Sequence, residues 1–124
     1  MERNILINGK EVKFKATAST IIRYRNKFHS DLIADMNTID KAMKKSKKDI
    51  PSGVLEIFLN LSYTLAKQAD SMIADDPLEW LDTFEIFPIE EVMPQVVELW
   101  ADSQKLSVEA KNSQSRRTAR SRRH

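Results

Sequence analysis

The sequence predicts a mostly α-helical fold with a small N-terminal β-hairpin, an α+β arrangement of about five helices packed around one long central helix. Three observations carry this reading. Only two glycines and four prolines occur in 124 residues, too few for a loop-rich all-β fold. Beyond residue 18, large apolar residues recur at three- and four-residue intervals, the spacing of one face of a helix. Before it, apolar and polar residues alternate with period two around Asn8-Gly9, a pair suited to a two-residue hairpin turn because both of its positions need positive φ.

The hairpin is predicted over 3–15, with Ile5, Ile7, Val12 and Phe14 on one face. A lone hairpin is marginal in water, so that face must pack on the helices that follow. A first helix is predicted over about 18–28, capped by Thr17 or Ser19, with Ile21, Tyr24 or Arg25, and Phe28 at helical spacing. Ser30 can cap a second, with Asp31 near the positive end of its dipole and Leu32, Met36, Ile39 and Met43 as its stripe. It should fade in the lysine run 44–48.

Pro51-Ser52-Gly53 opens the longest periodic segment. There Val54, Phe58, Leu61, Leu65 and Met72 form a row that Leu55, Leu59, Ala66, Ala69 and Ile73 widen. So broad an apolar face suits a helix contacted on several sides. Asp75-Asp76-Pro77-Leu78-Glu79 supplies a cap, a proline at the first helical position and a glutamate able to reach back. A short helix carrying Trp80, Leu81 and Phe84 should follow and end at Phe87-Pro88. The last helix is predicted over about 89–103, burying Ile89, Val92, Val96, Leu99 and Trp100, with Pro94 forcing a kink or a later start.

Length and charge divide the chain into a single globular domain, 1–104, and a basic tail, 105–124. The tail has seven Lys or Arg and one acid, the body thirteen and seventeen, so a mildly acidic body carries a basic appendage. With almost nothing large and apolar beyond residue 107, the tail cannot offset its own ordering entropy and is predicted to be disordered. The N-terminus has no apolar stretch behind a basic region, and no window approaches the length of a membrane span. A cytoplasmic protein is expected, with no membrane partner.

Little in the sequence carries catalytic chemistry, and a non-enzyme without cofactors or metals is expected. The absence of cysteine excludes disulfides, thiolate catalysis and thiolate metal sites. The two histidines, His29 and His124, have no partner at metal-ligand spacing. The pairs Asp75/Asp76 and Glu90/Glu91 sit at predicted helix starts, where the dipole favours acids without further purpose. No glycine-rich phosphate loop or nucleophile elbow is present.

The candidate functional residues are therefore partner contacts. Trp80, Phe84, Phe87 and Trp100 form an aromatic-rich region; core packing explains them first, and an exposed anchor among them is the sharper alternative. Arg116, Arg117, Arg120, Arg122 and Arg123 can bind nucleic acid by counterion release, bind an acidic protein surface, or simply keep the terminus solvated.

The run Ile5-Leu6-Ile7-Asn8-Gly9-Lys10-Glu11-Val12-Lys13-Phe14, followed by Ile22-Arg23-Tyr24-Arg25-Asn26-Lys27-Phe28-His29-Ser30-Asp31-Leu32, resembles the tail assembly chaperones of long, flexible-tailed phages of Gram-positive hosts. The long apolar helix, the Trp80-Leu81 region and a C-terminal helix with a polar tail extend the resemblance over most of residues 3–104. It implies a protein that coats the aggregation-prone tape measure protein until tube subunits replace it, self-associates, works in the bacterial host cytoplasm and is absent from the finished virion. It also implies a second, longer form made by ribosomal frameshift. Relatives often have glycine at the position of His29, where a left-handed residue closes the helix.

Two other functions compete. One is a small nucleic-acid-binding regulator using the arginine tail, with Arg23 and Arg25 as further candidate contacts, against which the net acidic body argues. The other is a structural neck or tail protein retained in the particle.

Overall fold

The computed structural model describes residues 1–45 and 49–104. Strands β1 (Glu2–Ile7) and β2 (Lys10–Lys15) pair antiparallel, with Ile5 opposite Val12 and Arg3 opposite Phe14. Asn8 and Gly9 have φ of 52° and 78°, as a type I′ turn requires. Met1 and Ala16 extend the ladder by exchanging backbone bonds of 2.8 and 2.9 Å. Ile5, Ile7, Val12 and Phe14 are all buried, so the period-two reading holds on every residue of that face.

Helices α1 (Thr20–Phe28), α2 (Leu32–Lys45), α3 (Ser52–Ala69) and α4 (Pro77–Asp82) follow, and α5 spans 89–104. Among the described residues none is long and apolar enough to cross a membrane. The centre is α3, which meets β2, α1, α2 and α4. All six residues from Leu61 to Ala66 are buried, which requires neighbours on every side. Ser62 and Thr64 tolerate this because their hydroxyls donate to the Phe58 and Asn60 carbonyls at 2.9 and 2.8 Å, leaving no buried donor unpaired.

The helix ends differ from expectation in instructive ways. Ser19 precedes α1 without capping it; its hydroxyl accepts from Arg23 Nε at 3.0 Å, while the Thr20 hydroxyl accepts from Thr17 N at 2.9 Å. Asp31, not Ser30, caps α2, accepting from Ile33 N at 2.9 Å. Ser30 instead donates to Asp35 at 2.7 Å. His29 closes α1 at φ 54°, ψ 39°, with its N–H on the Arg25 carbonyl. This is the left-handed closure that a glycine would make without strain.

Met72 does not belong to the central row. The backbone turns extended at Asp70, whose carboxylate accepts from Met72 N at 3.0 Å, and Met72 is 88% exposed. Ile73 lies half-buried beyond the helix. Asp76 caps α4 through Leu78 N at 3.0 Å, with Pro77 opening the helix; the reach-back by Glu79 is not formed. The helix stops at Asp82, before Phe84, and Thr83 turns back onto the Trp80 carbonyl at 2.6 Å.

In α5, Val92, Val96, Leu99 and Trp100 are buried as predicted, Ile89 is half-buried, and Met93 joins the buried face. Pro94 neither delays nor interrupts the helix. Both Pro94 and Glu90, whose carbonyl loses a donor, are exposed, so water can serve that carbonyl.

Candidate partner-binding surface

Of the aromatic residues singled out from sequence, Trp80, Phe84 and Phe87 are brought together as part of the core, whereas Trp100 of α5 is buried without a ring contact to them among the described residues. Trp80 meets Phe84 edge-on at 5.2 Å between centroids, Phe87 at 6.1 Å and Tyr63 at 6.0 Å. Phe84 meets Phe87 at 5.5 Å, and Phe87 reaches Phe58 of α3 at 6.2 Å. These tilted and edge-on contacts suit the ring quadrupoles. Trp80, Phe84 and Trp100 are buried, while Phe87 is half-buried. Of the four, Phe87 has the most surface to offer a partner. Arg116, Arg117, Arg120, Arg122 and Arg123 lie outside the described residues, as does the predicted disorder of the tail.

Trp80 and Phe84 nevertheless border a cleft. It lies between Lys10–Lys13 of β2 and the loop 70–74, with Met72 and Ile73 on the far wall. Lys10 Nζ stands 5.5 Å from the Phe84 ring centroid, where the negative face of the ring attracts a cation. The loop is fastened from the other side. Tyr63 donates to the Ala74 carbonyl at 2.6 Å and Lys27 to the Asp75 carbonyl at 2.5 Å. Lys67 reaches the Ser71 and Ile73 carbonyls and pairs with Asp75 at 3.1 Å. Burial, with Asp75 and Asp76 nearby, pushes the Tyr63 hydroxyl above its ordinary pKa.

No family model, curated protein or solved structure matches the chain. What it presents for binding must therefore be read from its own surface.

Sequence reasoning missed a set of exposed large aliphatic residues. Leu6, Ile22, Met72, Leu78 and Ile86 are each more than 60% exposed, and Ile33 is 44% exposed. Their signal in the sequence is a breach of pattern: Leu6 falls on the polar parity of β1, between buried Ile5 and Ile7, and Ile22 on the side of α1 away from Tyr24. Single exposed apolar residues are ordinary, but these are large, aliphatic and spread over β1, α1, α2, α4 and the loops on either side of α4. Such a distribution can contact a long partner at several points.

Among the described residues no three His, Asp or Glu side chains gather as a metal site. His29 is exposed at the α1–α2 corner, in a shallow hollow with Ile21, Arg25, Asn26, Ser30 and Asp31.

Proposed function

We propose that this chain is a non-enzymatic tail assembly chaperone that binds and solubilises a phage tape measure protein during tail assembly. The reading rests on the resemblance carried by residues 5–14 and 22–32. One structural observation supports it: the hairpin of the quoted run closes at Asn8-Gly9 with Ile5, Ile7, Val12 and Phe14 buried. His29 departs from the glycine that members of that family often have there, though its backbone adopts the left-handed conformation a glycine would take.

The physical role is reasonable for this surface. A long helical tape measure exposes apolar stripes that aggregate unless covered. Leu6, Ile22, Ile33, Met72, Leu78 and Ile86 offer modest apolar contacts. Many such contacts along a polymer hold through multivalency while each remains displaceable. In this reading the protein self-associates, acts in the bacterial host cytoplasm, occurs also as a longer frameshifted form and leaves before the virion is complete.

The test is co-expression with the tape measure protein encoded in the same genome, with any longer form supplied. A soluble complex that survives high salt is expected, and substituting Leu6→Asp together with Ile22→Asp should weaken it while far-UV circular dichroism is unchanged. A tape measure that stays insoluble with both forms present would overturn the proposal.

A further inference from the structure

The hairpin has two outer edges, and its ladder fixes which backbone groups face them. Met1 and Ala16 exchange two backbone bonds, and in an antiparallel pair such bonded positions recur at every second residue. The bonded pairs are therefore Arg3 with Phe14, Ile5 with Val12 and Ile7 with Lys10. Glu11 and Lys13 of β2 turn their N–H and C=O groups away from β1, as Asn4 and Leu6 of β1 turn theirs away from β2. Among the described residues none of these outward groups has a hydrogen-bond partner.

The two strands differ in their surroundings. Arg3 ties β1 to α5, with Nη2 3.3 Å from Asp102 and Nη1 3.9 Å from Glu98. Beside β2 lies the cleft bordered by Trp80, Phe84, Ile73 and Met72, where Met72 is 88% exposed. Lys10 has the parity of buried Val12 and Phe14, and its Nζ stands 5.5 Å from the Phe84 ring centroid. The apolar wall of the cleft is thus on the face of the hairpin that packs on the core. Lys10 has no carboxylate partner among the described residues.

We infer that the outer edge of β2 binds an extended segment of a partner protein, which adds to the hairpin as a third strand over the cleft. A row of unpaired N–H and C=O groups at strand spacing is matched by another extended backbone, whereas a helix has already bonded its own groups internally. The added strand would lie ~4.8 Å from β2. Its alternate side chains would then point at Trp80, Phe84 and Ile73, which calls for apolar residues at every second position. An acid beside Lys10 would pair with the ammonium there. Lysines along an exposed edge discourage indiscriminate pairing, and Lys10, Lys13 and Lys15 so favour a strand that carries acids. The inference concerns an extended segment rather than the apolar stripe of a helix, and holds or fails independently of the chaperone reading.

Selection of short random peptides on beads against the full-length chain should enrich apolar residues at alternate positions, with Asp or Glu among them. A synthetic peptide of that consensus should shift the ¹⁵N amide signals of Glu11 and Lys13 and slow their hydrogen exchange, leaving Asn4 and Leu6 unchanged. Lys13→Pro removes an outward N–H at an edge position where proline is tolerated. It should weaken binding about tenfold, because a peptide carbonyl is left unpaired. Lys13→Thr keeps that N–H and should lose far less, and Asn4→Pro on the other edge should lose nothing. If a proline variant does not fold, N-methylation of the peptide decides: methyl groups on one set of alternate amides should abolish binding, and on the other set spare it. A selection that yields no consensus or a helical apolar spacing overturns the inference. So do shifts on Asn4 and Leu6 in place of Glu11 and Lys13, undiminished binding by folded Lys13→Pro, or equal loss from both methylated sets. Slowing of exchange at Glu11 and Lys13 that grows with chain concentration alone would make the occupant a second copy and overturn the assignment to another protein.

Discussion

The hairpin, α3 and α5 cohere by apolar burial, while the corner where α1 turns into α2 coheres by side-chain hydrogen bonds. In the first region Phe14, Phe58, Leu61, Leu65, Val96 and Leu99 are fully buried. In the second, Tyr24 donates to Asp35 at 2.8 Å, Ser30 donates to the same carboxylate oxygen at 2.7 Å, and His29 holds a left-handed backbone between them. Thr20 links the start of α1 to α3 through Gln68 at 2.8 Å. Apolar contacts are non-directional and tolerate repacking, whereas these bonds depend on placement and on protonation. The two regions should therefore fail in different ways.

The largest effect is expected in the apolar region. Phe58→Ala empties a site that is 0% exposed and should lower unfolding free energy by about 3–5 kcal/mol, read from the urea midpoint. A loss under ~1 kcal/mol would show that the two regions are not held as differently as described.

Next comes the polar corner. Tyr24→Phe removes a bond to a carboxylate and should cost about 1–3 kcal/mol. Burial first, then the bond to Asp35 and its charge, raise the Tyr24 hydroxyl well above its ordinary pKa of 10.0. Tyr63, the other tyrosine, is also raised. Because the folded state keeps the protonated phenol, this stabilisation is complete below pH ~10. It is lost as pH rises above that value, where the unfolded chain gives up protons the folded one retains. In an alkaline titration, phenolate absorbance should rise together with loss of circular dichroism. Ionisation near pH 10 in a chain that stays folded would refute the burial argument.

A smaller effect of opposite sign is expected at His29. A non-glycine residue in the left-handed region costs roughly 1–2 kcal/mol, part of which glycine returns as unfolded-state entropy. His29→Gly should therefore stabilise by up to about 1 kcal/mol, and His29→Val should destabilise. The smallest change is Asp75→Asn. Its carboxylate is 95% exposed opposite Lys67, so stability should move by less than ~0.5 kcal/mol. Hydrogen exchange in 70–76 should be no faster than in the unsubstituted protein, because Tyr63, Lys27 and Lys67 still hold backbone carbonyls of the loop in place.

Much of the fold was legible in the sequence, because periodicity and turn chemistry are local. Asn8-Gly9 and the alternation around it fix the hairpin and its register, and Asp76-Pro77 fixes the start of α4. Val54, Phe58, Leu61 and Leu65 identify the central helix, and its uninterrupted burial from Leu61 to Ala66 was foreshadowed by its broad apolar face. Caps were less legible at α1 and α2, where Thr17, Ser19, Thr20, Ser30 and Asp31 all offer oxygens. Choosing among them required Arg23 and Asp35, which claim Ser19 and Ser30.

The candidate site was legible only as composition. Sequence named Trp80, Phe84, Phe87 and Trp100 as aromatic, but burial belongs to whatever packs over a residue from elsewhere in the chain. Here Tyr63 and Phe58 of α3 meet Trp80 and Phe87. The same holds for Met72, which fits the helical row in sequence but is thrown outward by the turn at Asp70. The sequence alone thus determined which segments are strands and helices and which face of each is apolar, since these follow from backbone propensity and spacing. The tertiary structure decided which apolar residues are left uncovered and which acids gather around Arg3, since both depend on contacts between residues far apart in the chain.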